Sequence, residues 1–109
     1  MEKTINYYET DSGYCPYLEW LETLDKSIKV RVIKRVDKLK NGLLGDHKPL
    51  QNSELSELRL DFGAGYRIYY YDKTEYLIIL FAGSDKKDQK KIIEQANIYF
   101  ENYKQQQGA

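Results

Sequence analysis

Between Ser56 and Ser84 the chain reads SELRLDFGAGYRIYYYDKTEYLIILFAGS, and its apolar and polar positions alternate through two segments before the alternation stops. A period of two places successive side chains on opposite faces of a strand. In a first strand, Ser56–Asp61, Leu58 and Leu60 share one side, and Glu57, Arg59 and Asp61 share the other. A glycine-rich turn, Phe62–Gly65, leads to a second strand, Tyr66–Tyr71, with Tyr66, Ile68 and Tyr70 on one face and Arg67, Tyr69 and Tyr71 on the opposite one. After a polar turn at Asp72–Glu75, the third strand, Tyr76–Ala82, is apolar throughout, the pattern of a central strand covered on both sides. One face of this antiparallel meander wants a core. The other collects two arginines and two tyrosines.

Upstream, Ile5–Tyr8 has the look of a short outer strand, and Asp11–Cys15 of a turn. Pro16 suits the first turn of a helix, where its missing N–H costs nothing. Leu18, Leu21 and Leu24 then keep helical spacing with Trp20 beside them. A second helix starts at Asp25 or Ser27, carries Ile28, Val32, Val36 and Leu39 at intervals of three and four, and stops at Asn41-Gly42. Leu43–Glu54 reads as loop. After the meander, Ser84 or Asp85 can cap a last helix that carries Ile92, Ile93, Ala96, Ile98, Tyr99, Phe100 and Tyr103. Gln105–Ala109 reads as a frayed polar tail. The expected fold is therefore α+β, in the order β-α-α-β-β-β-α: an antiparallel sheet with a helical hairpin packed on one face, in a single domain spanning residues 1–109.

Composition narrows the function classes. A chain of 109 residues supports one core. No apolar run approaches the length that crosses a bilayer, and the N-terminus has no signal-like region, so no membrane role is expected. The lone Cys15 cannot form an internal disulfide, which fits a cytoplasmic setting. Net charge is zero, yet residues 26–40 hold seven bases against Asp37, which permits a local contact with a polyanion.

No metal-ligand set is visible, and no cofactor is expected. Gly63-Ala64-Gly65 sits between antiparallel strands and reads as a turn, not as a phosphate loop. Arg59 and Arg67 fall on adjacent strands with side chains on the same side. They can pair with Glu57, Asp61 or a helix carboxylate as surface ion pairs, or hold a phosphate in bidentate fashion. Tyr69 and Tyr71 are then available to stack on a nucleobase. Lys86 and Lys87, just after the last strand, are either a solvated run or part of the same cationic end. His47, in Gly45-Asp46-His47-Lys48-Pro49, is either a solvated loop residue or an acid–base group that titrates near neutrality.

Three runs carry a family likeness: Gly45–Leu50, Ser56–Tyr70 and Leu80–Gln89. Together they resemble the HigB-like addiction module killer proteins of the RelE/ParE toxin superfamily, whose members carry a glycine-aspartate-x-lysine-proline loop, an E-L-R-x-D-x-G-x-G-Y-R strand pair and a G-x-D-K-x-x-Q helix start. The likeness covers almost the whole chain. It implies the toxin of a type II toxin–antitoxin system: a metal-independent endonuclease that cleaves mRNA on the ribosome and inhibits translation. Arg59 and Arg67 match the strand cations, Lys86 or Lys87 the basic residue after the last strand, and Lys48 the loop lysine. The C-terminal tyrosine or histidine used as acid or base in some relatives has no counterpart; Ile92 and Ile93 occupy that neighbourhood, which leaves Tyr69, Tyr71 and His47 as spare candidates. The implied partners are a cognate antitoxin, of helix-turn-helix type, and mRNA on the ribosome, with operator DNA reached only through the antitoxin. The alternatives are a gyrase-inhibiting toxin of the other branch, and a non-catalytic binding module that co-represses its own operon.

Overall fold

The structure, a computed structural model, describes residues 2–108. Its elements are β1 (Thr4–Tyr7), α1 (Pro16–Glu22), α2 (Lys26–Lys40), β2 (His47–Pro49), β3 (Ser56–Leu60), β4 (Tyr66–Thr74), β5 (Leu77–Ser84) and α3 (Gln89–Gly108). The five strands form one sheet in the order β1-β5-β4-β3-β2. The meander pairs as expected, with β3, β4 and β5 antiparallel, but β4 runs on to Thr74, through most of the turn expected at Asp72–Glu75, and β5 extends to Ser84. Two features differ from the expected sheet. The stretch expected as loop contributes a short edge strand, β2, and β1 pairs parallel to β5, so the sheet is mixed and not purely antiparallel.

The layering differs more. The hairpin α1–α2 covers one face, where Val32, Val36 and Leu39 of α2 meet Leu58, Leu60, Ile68, Tyr70, Ile78 and Leu80. In α1 the inward stripe is Tyr17 and Leu21, with Leu24 packed just past its end, whereas Leu18, expected to face the core, is exposed. The opposite face is not open. Ala96, Phe100 and Tyr103 of α3 lie on Tyr69, Ile79, Phe81 and Ala82, with Tyr71 packed at the margin. Helices therefore sit on both faces of a mixed α+β sheet. Ile98 points outward. The helix also continues to Gly108, through the segment expected as a polar tail; Gln106 Nε2 donates to Glu9 O at 3.0 Å and to Asp11 Oδ1 at 2.9 Å. Ala109 lies outside the described residues. Among the described residues no helix is long and apolar enough to cross a membrane.

β5 is apolar throughout because both its faces are covered, and a bulge opposite Tyr69 and Tyr70 sets Phe81 and Ala82 on the same side. Ile79, Phe81 and Ala82 all join the α3 side, while Ile78 and Leu80 join the hairpin side. The extra residue shifts the register, so Gly83 lies under the Trp20 indole and Ser84 turns to the α3 side. A Cβ on Gly83 would overlap the ring carbons of Trp20, which is boxed in by Tyr17 and Tyr66. We expect Gly83→Ala to cost about 1–3 kcal/mol by overpacking and to lower the thermal midpoint by several degrees. An unchanged midpoint by calorimetry would show that Trp20 can move aside freely.

Candidate functional site

The site is built at one end of the α3 face. Alternation puts Glu57 and Arg59 of β3, and Arg67 of β4, on that face, and the register sets Arg59 directly opposite Arg67. Two cations across a strand pair repel unless each has its own counter-charge, and each has one. Arg59 pairs with Asp46, Nη2 to Oδ1 at 2.9 Å and Nε at 3.1 Å, an exposed pair worth about 0–1 kcal/mol. Arg67 lies against Glu57, Nε to Oε1 at 2.9 Å. This second pair is not the surface contact that composition suggests: the side chain of Arg67 is 11 % exposed and that of Glu57 only 1 %. The charges are close, but the Nε–H is not aimed along the line between them. Arg67 Nη1 donates to the Tyr66 carbonyl at 3.2 Å. Asp61 takes no part in either ion pair.

The turn after β3 brings a third cation alongside. Gly65 adopts φ +75°, a conformation that suits glycine, and a Cβ there would sit 3.3 Å from Lys86 Cβ and 3.8 Å from Arg67 Nη1. The Lys86 N–H donates to the Ala64 carbonyl at 3.2 Å, tying the segment before α3 to this turn. Asp85 Oδ1 accepts the Asp88 N–H at 2.9 Å, as a helix start requires. Lys87 and Lys90 then line an open cleft of roughly 740 Å³ with Gln51, Asn52 and Gln89. Lys48 on β2 lies directly across from Glu57, on the same face. Lys48, Lys86, Lys87, Arg59 and Arg67 are thus gathered at one rim of the sheet, where they can receive a phosphate backbone.

Three of the residues singled out in the sequence are not in this group. His47 lies opposite Leu58, which turns it to the hairpin face, and its Nδ1 is 2.9 Å from the Gly45 carbonyl. Tyr69 has no exposed ring face on which a base could stack. Its phenol bonds Ser84 Oγ at 2.8 Å, and burial pushes its pKa up to about 12. Such a phenol keeps its proton at neutral pH. Tyr71 is half-covered, edge-on to Phe100 with ring centroids 4.8 Å apart. Both tyrosines serve the packing of α3. Two residues of this rim were not singled out as site residues from the sequence. Asp46 and Gln89 stand inside the motif runs, yet only the tertiary structure shows what they hold.

Comparison with known proteins adds a family to this geometry. Residues 19–104 match the family model described as "Phage derived protein Gp49-like (DUF891)". The chain belongs to the Gp49-like family. An uncharacterized protein of Haemophilus influenzae is 39 % identical over 80 residues, which covers 72 % of this chain and 80 % of that one. No solved structure matches the chain. The span shared with the Gp49-like family runs from α1 to α3 and contains every residue of the cationic rim. That membership is consistent with a toxin-like role.

The buried phenols make a pH prediction. Burial raises the pKa of Tyr69 to about 12, and raises that of Tyr17 as well. Below the ordinary phenol value near 10 both states are protonated and the stabilisation is complete. As pH rises beyond it, the unfolded chain releases protons that the folded chain retains, so stability falls through the folded pKa near 12. In alkaline thermal melts, Tyr69→Phe should shrink this loss, while costing about 1 kcal/mol at neutral pH for the lost Ser84 bond. An identical alkaline slope in the variant would mean that Tyr69 titrates as a free phenol.

Proposed function

We propose that this chain is the toxin of a type II toxin–antitoxin pair, of the HigB-like branch of the RelE/ParE superfamily, and that it cleaves mRNA at the ribosome without a metal ion. The observation that carries this reading is the register-paired Arg59 and Arg67 with Lys86 beside them, in a member of a family whose membership fits a toxin-like role. In such a cleavage the ribose 2′-oxygen attacks the adjacent phosphorus, the P–O5′ bond breaks, and a cyclic phosphate forms. The hydroxyl proton must leave and the 5′-oxygen must gain one. Negative charge builds on the non-bridging oxygens, and fixed guanidinium and ammonium groups stabilise it at no reorganisation cost. Arg67 is the fixed member of the set, Arg59 and Lys86 the more exposed ones, and Lys48, Lys87 and Lys90 extend the contact along the strand. A cognate antitoxin of helix-turn-helix type would silence the toxin and link the pair to operator DNA.

A second reading has its own support. His47 is turned to the other face and the Tyr69 phenol is buried on Ser84, while the carboxylates at the rim, Asp46 and Glu57, are each paired with an arginine, so no acid–base group among the described residues stands free beside the cations. Under the first reading the ribosome supplies those proton transfers. Under the second, the chain binds without cutting.

Mapping mRNA 5′ ends by primer extension after induction in bacteria separates the two. We expect new cuts within translated codons in the wild type, reduced about 100-fold or more in Arg67→Ala, the loss typical of one transition-state donor. Arg67→Ala leaves the Glu57 carboxylate buried without its cation, so Arg59→Ala, whose partner Asp46 is exposed, serves as a companion that leaves the fold intact. Growth arrest with intact mRNA would rule out the nuclease in favour of binding alone.

A further inference from the structure

Glu57 is the one acidic residue in the buried set of the described chain, and its two oxygens are used unequally. Oε1 accepts from Gln89 Nε2 at 3.2 Å and lies 2.9 Å from Arg67 Nε, while Oε2 meets no donor. Arg67 is divided in the same way. Nη1 donates to the Tyr66 carbonyl; Nε lies 2.9 Å from Oε1 as a charge contact with its N–H off that line, and Nη2 makes no hydrogen bond among the described residues. A buried carboxylate with a spare oxygen weakens a fold, and an apolar residue of similar size would seal α3 onto the sheet more firmly. What the carboxylate supplies is a fixed counter-charge 2.9 Å from the guanidinium. Glu57 sits in β3 and Tyr66 begins β4, so both anchors belong to rigid elements. Gln89 is the first residue of α3, three positions after Lys86, so the same contact sets the lysines relative to the arginine.

We propose that Glu57 is the positioning residue of this site: clamped by Gln89, it fixes the Arg67 guanidinium so that Nη2 is presented to a substrate phosphate. This rests on the reading of Arg67 as a phosphate-binding cation. The arrangement trades affinity for geometry. A carboxylate beside Arg67 cancels part of its attraction for RNA, while orienting the donor that the reaction uses. Removing the negative charge should therefore strengthen binding and slow cleavage, two changes of opposite sign that a folding defect does not produce.

The test compares wild type, Glu57→Gln, Gln89→Ala and Arg67→Ala by two measurements. One is the Kd for a fluorescent RNA oligonucleotide 2′-O-methylated throughout, which lacks the nucleophile. The other is the rate of mRNA cleavage in a translating extract. Glu57→Gln should bind at least as tightly as wild type and cleave slower by about tenfold or more. Gln89→Ala should bind within about twofold and cleave several-fold slower. Wild-type cleavage by either folded variant overturns the proposal, as does weakened binding in step with slower cleavage. If Glu57→Gln fails to fold, Gln89→Ala decides alone, since Gln89 is neutral and only half-buried. The underlying reading fails in different lanes: unaltered binding and cleavage by Arg67→Ala, or no cleavage by wild type, removes the phosphate site and the positioning role with it.

Discussion

The stripe Ala96, Phe100 and Tyr103 of α3 rests on Tyr69, Ile79 and Phe81, and this contact gives the sheet its second dry face. The hairpin alone would leave β4 and β5 bare on one side, with Tyr69 and Phe81 in water. Aromatic side chains bury on the order of 150–250 Å² each, and Phe81 meets Phe100 and Tyr103 edge-on with centroids at 5.7 and 5.5 Å. Against that, exposed ion pairs such as Lys40–Glu2 and Lys104–Glu54 contribute about 0–1 kcal/mol each. Apolar closure by α3 stabilises the molecule more than these pairs do, and the rim depends on it.

Because α3 lies across β4 and β5, only the outer edge of that face stays accessible, at β2, β3 and the turn before the helix. The cations collect there. Where the helix begins, the face passes from aromatic packing to charge, and Glu57 sits at the transition. It is covered by the same helix whose first residue bonds to it. Arg67 is held where burial stiffens it, while Arg59, one strand outward, keeps an exposed carboxylate partner. Two cross-strand arginines thus differ in exposure, the one nearer the helix being the more buried. That gradient is what a site needs to pair one preorganised donor with more adaptable ones.

Much of this was legible in the chain itself. The alternation in Ser56–Tyr71 assigned Leu58, Leu60, Ile68 and Tyr70 to one face and Arg59, Arg67, Tyr69 and Tyr71 to the other, and the structure keeps that division. Pro16 marked the start of α1, and Asn41-Gly42 the end of α2. The motif runs pointed to the rim residues and to a toxin-like family. What failed was the inference that a face rich in arginine and tyrosine is open. Tyrosine is amphipathic, and a period of two says which residues share a face but not what covers it. The α3 pattern of Ile92, Ala96, Phe100 and Tyr103 was the signal for a covered face, because an apolar stripe of that length must be buried somewhere.

The division follows from range. Local rules, acting over a few residues, determined from the sequence where the helices and all strands but β2 lie (though not how far α3 runs), which side chains share a face, and that Arg59 and Arg67 are neighbours. Only the tertiary structure decided that α3 returns over the arginine face, that β1 enters parallel beside β5, that His47 faces away from the site, and that Tyr69 is buried beside Glu57. It also decided that Glu57 is buried against Arg67 under Gln89, a contact between residues 32 positions apart. Those outcomes depend on how distant apolar surfaces exclude water together, and no local pattern along the chain records which surface meets which.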